Sequence, residues 1–191
     1  MRKTFLIAAG LFLLPSAALA HPSLTHHVHG FMAGVSHPLT GLDHLLAMLS
    51  VGLWASQKGG RAMWIWPAAF VIAMMAGGFL GMAGIGLPLV EPAIAASLLV
   101  LGAAIAATLM LPTAAGIAII ALFGLFHGNA HGLETPVNGA GLYALGFVLS
   151  TVTLHGMGLA LGLSAQRMQR PVLVRAGAAL IAATGFFMAF T

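Results

Sequence analysis

Apolar residues in this chain run in long unbroken blocks, not on the alternating or every-third-or-fourth pattern of a half-buried strand or a soluble helix. A helix that crosses the hydrocarbon core of a bilayer needs about 20 predominantly apolar residues. Six blocks reach that length, at residues 30–56, 62–83, 92–111, 113–133, 138–164 and 171–190. Their connectors are short and polar, such as Gln57-Lys58-Gly59-Gly60-Arg61 and Gln166-Arg167-Met168-Gln169-Arg170. Only Pro112 parts the third block from the fourth; proline lacks the N–H a helix interior uses and clashes with the preceding turn. The pattern predicts an all-α integral membrane protein, a compact bundle of six transmembrane helices forming one domain over residues 30–191.

The segment before the first block has a different logic. Arg2 and Lys3 are followed by an apolar run from Phe5 to Leu14 and by Ala18-Leu19-Ala20. A positive start, a short apolar core and an A-x-A site read as a cleavable secretory signal peptide, here residues 1–20. Cleavage would leave His21 first and a His-rich tail, residues 21–29, outside the cytoplasm. From that start, the first, third and fifth connectors face inward. Lys58, Arg61, Arg167, Arg170 and Arg175, the five basic residues after the signal, then all fall on the cytoplasmic side, as the positive-inside rule requires. Both mature termini are expected outside. Trp54, Trp64 and Trp66 flank the first cytoplasmic connector, where an interfacial aromatic belt would sit.

Composition agrees with a lipid solvent. The chain is 60% hydrophobic and 5% charged, against about 25% charged in soluble proteins, and its mean hydropathy is +1.05. The formal charge of +4 rests on only seven Lys and Arg. They form no basic patch interleaved with aromatics, which argues against a nucleic-acid partner. The absence of cysteine excludes disulfides, iron–sulfur clusters and thiolate metal sites. Glycines recur four apart at Gly30/Gly34, Gly77/Gly81, Gly124/Gly128, Gly128/Gly132 and Gly158/Gly162, a spacing that lets membrane helices approach closely.

Against this background two polar clusters stand out: His37-Pro38-Leu39-Thr40-Gly41-Leu42-Asp43-His44, and His127-Gly128-Asn129-Ala130-His131-Gly132-Leu133-Glu134. Two of the three acidic residues in the chain lie in them. Ionisable groups inside a span are unfavourable unless they face a cavity, a partner or an ion path. Neutral imidazole and carboxylate are also ligands for divalent transition metals. On a regular helix His127, His131 and Glu134 lie within about 60° of arc on one face. His37 and His44 share a face only if the first helix is regular, whereas Asp43 would point about 100° from His44. Pro38 and Gly41 predict a kink or unwound turn that redirects Asp43 inward; transporters often place ion sites at such breaks. Asp43 then serves either as a ligand or as the acceptor that fixes a histidine tautomer. His155, one turn after Thr151, fits a ligand or a packing residue equally. His21, His26, His27 and His29 form a short tract able to capture metal outside the membrane.

The run His37-Pro38-x-x-Gly41-x-Asp43-His44-x-Leu46-Ala47-Met48, with Phe126-His127-Gly128-x-Ala130-His131-Gly132-x-Glu134, resembles the HupE/UreJ family of bacterial membrane proteins. The resemblance spans essentially the whole mature chain. It implies a secondary permease of the bacterial inner membrane that imports Ni²⁺, or in some members Co²⁺, for hydrogenase or urease maturation, and so a functional link to those maturation proteins. It implies roles in metal passage for His37, Asp43, His44, His127, His131 and Glu134. The metal is then cargo, with no prosthetic group and no enzymatic step. No G-x-x-x-x-G-K-[ST] loop is present, so this chain lacks that route to ATP hydrolysis. Two other classes use the same side chains: an iron-dependent membrane metalloenzyme, and a sensor or assembly protein that binds metal without moving it.

Overall fold

The computed structural model describes residues 30–135 and 139–190, so the expected signal peptide and the His21–His29 tail lie outside the described residues. Seven helices follow one another: α1 (Phe31–Thr40), α2 (Leu42–Lys58), α3 (Ala62–Met82), α4 (Val90–Ala106), α5 (Thr113–Glu134), α6 (Ala140–Arg167) and α7 (Pro171–Met188). Among the described residues there is no strand. Helices α3, α5, α6 and α7 are long and apolar enough to cross a membrane. The α1–α2 pair would be a fifth crossing, bent by 86° at its break, and α4 is a shorter apolar helix of 17 residues. Large apolar side chains such as Ile72, Leu180 and Phe79 point outward, as expected of a multi-pass protein whose solvent is lipid.

Each predicted block coincides with one helix, or for the first block with the bent pair. The break falls at Gly41, whose backbone is extended (φ −89°, ψ 115°); α1 runs on through Pro38 to Thr40 before it stops. A Cβ on Gly41 would come within 2.9 Å of Asp43 Oδ1 and 3.1 Å of His44 Nδ1. The missing side chain therefore leaves room for those two groups to meet.

The glycine spacing does what it predicts. A Cβ on Gly128 would collide with the Met74 carbonyl, and one on Gly132 with that of Gly78, so α5 lies directly on α3. In the same way α2 joins α6: the Met48 carbonyl accepts from His155, Gly52 abuts Gly158 and Leu159, and Gly162 abuts Ser56. Residue numbers rise together along both contacts, so each pair is parallel. The third pair, α4 and α7, is antiparallel: Gly102 packs on Ala178 and Ala182, and Gly185 on Ala95 and Leu99. Lipid gives apolar helices no hydrophobic reason to associate, so this closeness, with its dispersion contacts, is what holds them.

Two expectations are corrected. Trp54 and Trp66 are 1% and 0% exposed, and of the three tryptophans only Trp64 faces outward like a belt residue. The two buried indoles pack at 4.8 Å and donate their Nε1–H to the carbonyls of Leu109 and Thr113. They pin the α4–α5 connector instead of lining the interface, because a buried indole N–H requires an acceptor. The third block ends at Ala106, short of residue 111. Thr108 adopts a left-handed conformation (φ 56°), and Gln57 and Arg175 donate to the freed carbonyls of Ile105 and Ala106. Those bonds bring the basic connectors to one end of the bundle. Glu134 and the N-terminus of α1 lie at the other.

Candidate metal site

The two polar clusters converge. The bend at Gly41 turns α2 so that Asp43 lies in its first turn, where the helix dipole favours a carboxylate. Asp43 Oδ1 accepts the backbone N–H of His44 at 2.8 Å and approaches its Nδ1 at 2.7 Å. An ionised carboxylate only accepts, so Nδ1 carries the proton and Nε2 keeps the lone pair. Of the two roles open to Asp43, this geometry matches the acceptor that fixes a tautomer.

On α5, His127 is fully buried and donates from Nδ1 to the carbonyl of Phe123 at 2.9 Å. This also leaves the lone pair on Nε2. One turn on, His131 meets three rings: His44 at 4.3 Å between centroids, His37 at 4.6 Å and Phe147 at 4.3 Å. His44 and His127 lie 4.9 Å apart. At the open end, His37 Nε2 is 3.8 Å from Glu134 Oε2. Glu134, His37, His131, His44 and His127 therefore form a continuous row from an exposed end to the buried centre.

Burial makes that row chemically pointed. Nε2 of His44, His127 and His155 and both ring nitrogens of His131 are buried without a hydrogen-bond partner. Leaving a buried polar atom unpaired costs about 1–3 kcal/mol. Histidines kept only for packing gain nothing from leaving so many buried ring nitrogens unpaired. At the outer end, ligand atoms of His37, His131 and Glu134 lie within 4.8 Å of one another. Two nitrogen or oxygen ligands on one ion at about 2.1 Å can be at most about 4.2 Å apart. Closing by about half an ångström would let the three hold one divalent cation.

His155 sits apart from this row. Its Nδ1 donates to the carbonyl of Met48 at 2.8 Å, and its ring stands 5.1 Å from Phe70, which in turn lies 5.6 Å from His127. His21, His26, His27 and His29 are outside the described residues. Helical spacing does not single out Asn129, which is fully buried. Its Oδ1 accepts from Leu87 N–H, and its Nδ2 donates to the carbonyls of Ile85 and Gly77, tying the α3–α4 connector to the helix that carries the histidines. A neutral amide between two histidines carries the sequence signal of a motif, but nothing in it points to a loop clamp. Phe147 and Tyr143 of α6, which close the outer end over His37 and His131, were likewise not legible as site residues.

A family model described as HupE / UreJ protein matches residues 9–188. Protein HupE of Rhizobium leguminosarum bv. viciae is 44% identical over 179 residues, covering 86% of this chain and 94% of that protein. No solved structure matches.

Proposed function

The chain belongs to the HupE/UreJ family, and on that footing we propose that it is a secondary permease importing Ni²⁺, or Co²⁺, across a bacterial inner membrane, with six spans in all. The observation that carries this reading is the row of buried imidazoles whose lone pairs have no partner. Imidazole nitrogen and carboxylate oxygen, with no thiolate, suit Ni²⁺ and Co²⁺. Glu134, with His37 and His131, collects the ion at the outer end. His44, held by Asp43, and His127 then take it toward the centre. The His21–His29 tail raises the local metal concentration outside, and the nickel serves hydrogenase or urease maturation.

Lys58, Arg61, Arg167, Arg170 and Arg175 at the opposite end support an inward-facing basic surface, with both mature termini outside. Such an orientation lets the membrane potential drive entry: a dication crossing 100 mV gains about 4.6 kcal/mol, twice the value for a unit charge. Neutral rings at close spacing suit passage, since a conducting path needs several sites that bind well enough to enter and weakly enough to leave. Cells expressing the chain are expected to accumulate radiolabelled nickel above vector controls, and His44→Ala that still inserts is expected not to. Normal accumulation by that variant would contradict the pathway.

A further inference from the structure

The row proposed above ends at His127, in the middle of the bundle, and nothing in that reading carries the ion further toward the basic end. Resting on that reading, we propose that His155 is the next ligand inward, receiving the cation from His127 past the ring of Phe70. Three observations point there. His155 is 2% exposed, and its Nε2 is buried without a partner. Its Nδ1 is already committed to the Met48 carbonyl, so the neutral ring is fixed with its lone pair free, the same arrangement found at His44 and His127. Met48 lies one helical turn beyond His44 on α2, about 6 Å further along the axis, which sets His155 on the inward side of the row. The Phe70 ring touches both His127 and His155 and so bridges the two imidazoles.

A purely fold-holding role has a different chemical requirement. The bond to Met48 ties α2 to α6, and an asparagine, whose amide nitrogen falls near the position of Nδ1, can make it with no atom at the position of Nε2. Only the ligand role needs Nε2. Beyond His155, α2 and α6 meet at Ser56, Gly162 and Gln166, where Gln166 donates to the Ser56 carbonyl, so the step continues along one helix pair toward the basic end.

The test uses the full chain in proteoliposomes with Ni²⁺ as the probe, comparing wild type, His155→Asn and His155→Ala. Both uptake and metal binding at equilibrium are measured. His155→Asn is expected to insert and melt like wild type and to bind nickel at the outer end unchanged, yet to take up nickel at least about tenfold more slowly, the loss typical of a disturbed metal site; His155→Ala is expected to share the transport defect. Wild-type uptake by His155→Asn would overturn the assignment, because the Met48 bond alone would then account for the residue. Failure of both variants to insert would also overturn it, since the side chain would be holding the fold. If wild type itself moves no nickel, the permease reading fails first, and the inner step fails with it.

Discussion

The outer and inner ends of the histidine row use the same side chain under opposite constraints. At the outer end Glu134 is 68% exposed and His37 is 37% exposed at the side chain, joined by a contact of 3.8 Å. At the inner end His44 and His127 are held by Nδ1 bonds to Asp43 and to the Phe123 carbonyl, and their Nε2 atoms are buried. Loose, partly hydrated ligands can follow an ion arriving with its water. Buried ligands with fixed tautomers replace that water in a set geometry. On the proposed permease role, capture and dehydration divide between two ends that share His131, which touches both His37 and His44.

Because His131 belongs to both ends, its removal breaks the comparison altogether. His131→Ala is expected to lower nickel uptake at least about 100-fold, or about 2.7 kcal/mol in the barrier, measured as initial rate per inserted protein. A change acting on the inner end alone should be smaller. Asp43→Asn keeps the shape but loses the charge that fixes His44, and is expected to cost about 10–100-fold in maximal rate; an unchanged maximal rate would remove the carboxylate from the passage step. The mildest effect belongs to the outer end. Glu134→Gln is expected to raise the half-saturating nickel concentration about tenfold while leaving the maximal rate near wild type, so that uptake fails at limiting metal and recovers in excess. A fall in maximal rate equal to that of Asp43→Asn would erase the distinction between the two ends.

The separate character of the two ends was only half legible in the sequence. Block length and connector chemistry locate each helix or bent pair, although α4 stops at Ala106, short of residue 111. Helical spacing alone sorts His127, His131 and Glu134 onto one face. The break at Gly41 is foreshadowed by Pro38 and Gly41, but its angle depends on how α1 packs on α6 through Gly34 and Gly146, which lie against Tyr143 and Phe31. Which nitrogen of His44 faces the row follows from that angle, and no local pattern encodes it. Asn129 and the Trp54–Trp66 pair escaped for a related reason. Their partners are backbone carbonyls and N–H groups of distant connectors, and a sequence shows a polar side chain without showing which loop will need it. The glycine pairs are the reverse case: four-residue spacing is local, and its consequence, helix contact, needs no knowledge of the partner.

Purified full-length chain in sealed proteoliposomes, supplied with external Ni²⁺ with and without an imposed inside-negative potential, addresses passage itself. Entry of nickel into the lumen, faster with the potential and abolished in His131→Ala, is the expected result. Tight nickel binding by the wild-type chain with no nickel reaching the lumen under either condition would contradict it, and would leave the same histidines as a binding site that moves nothing.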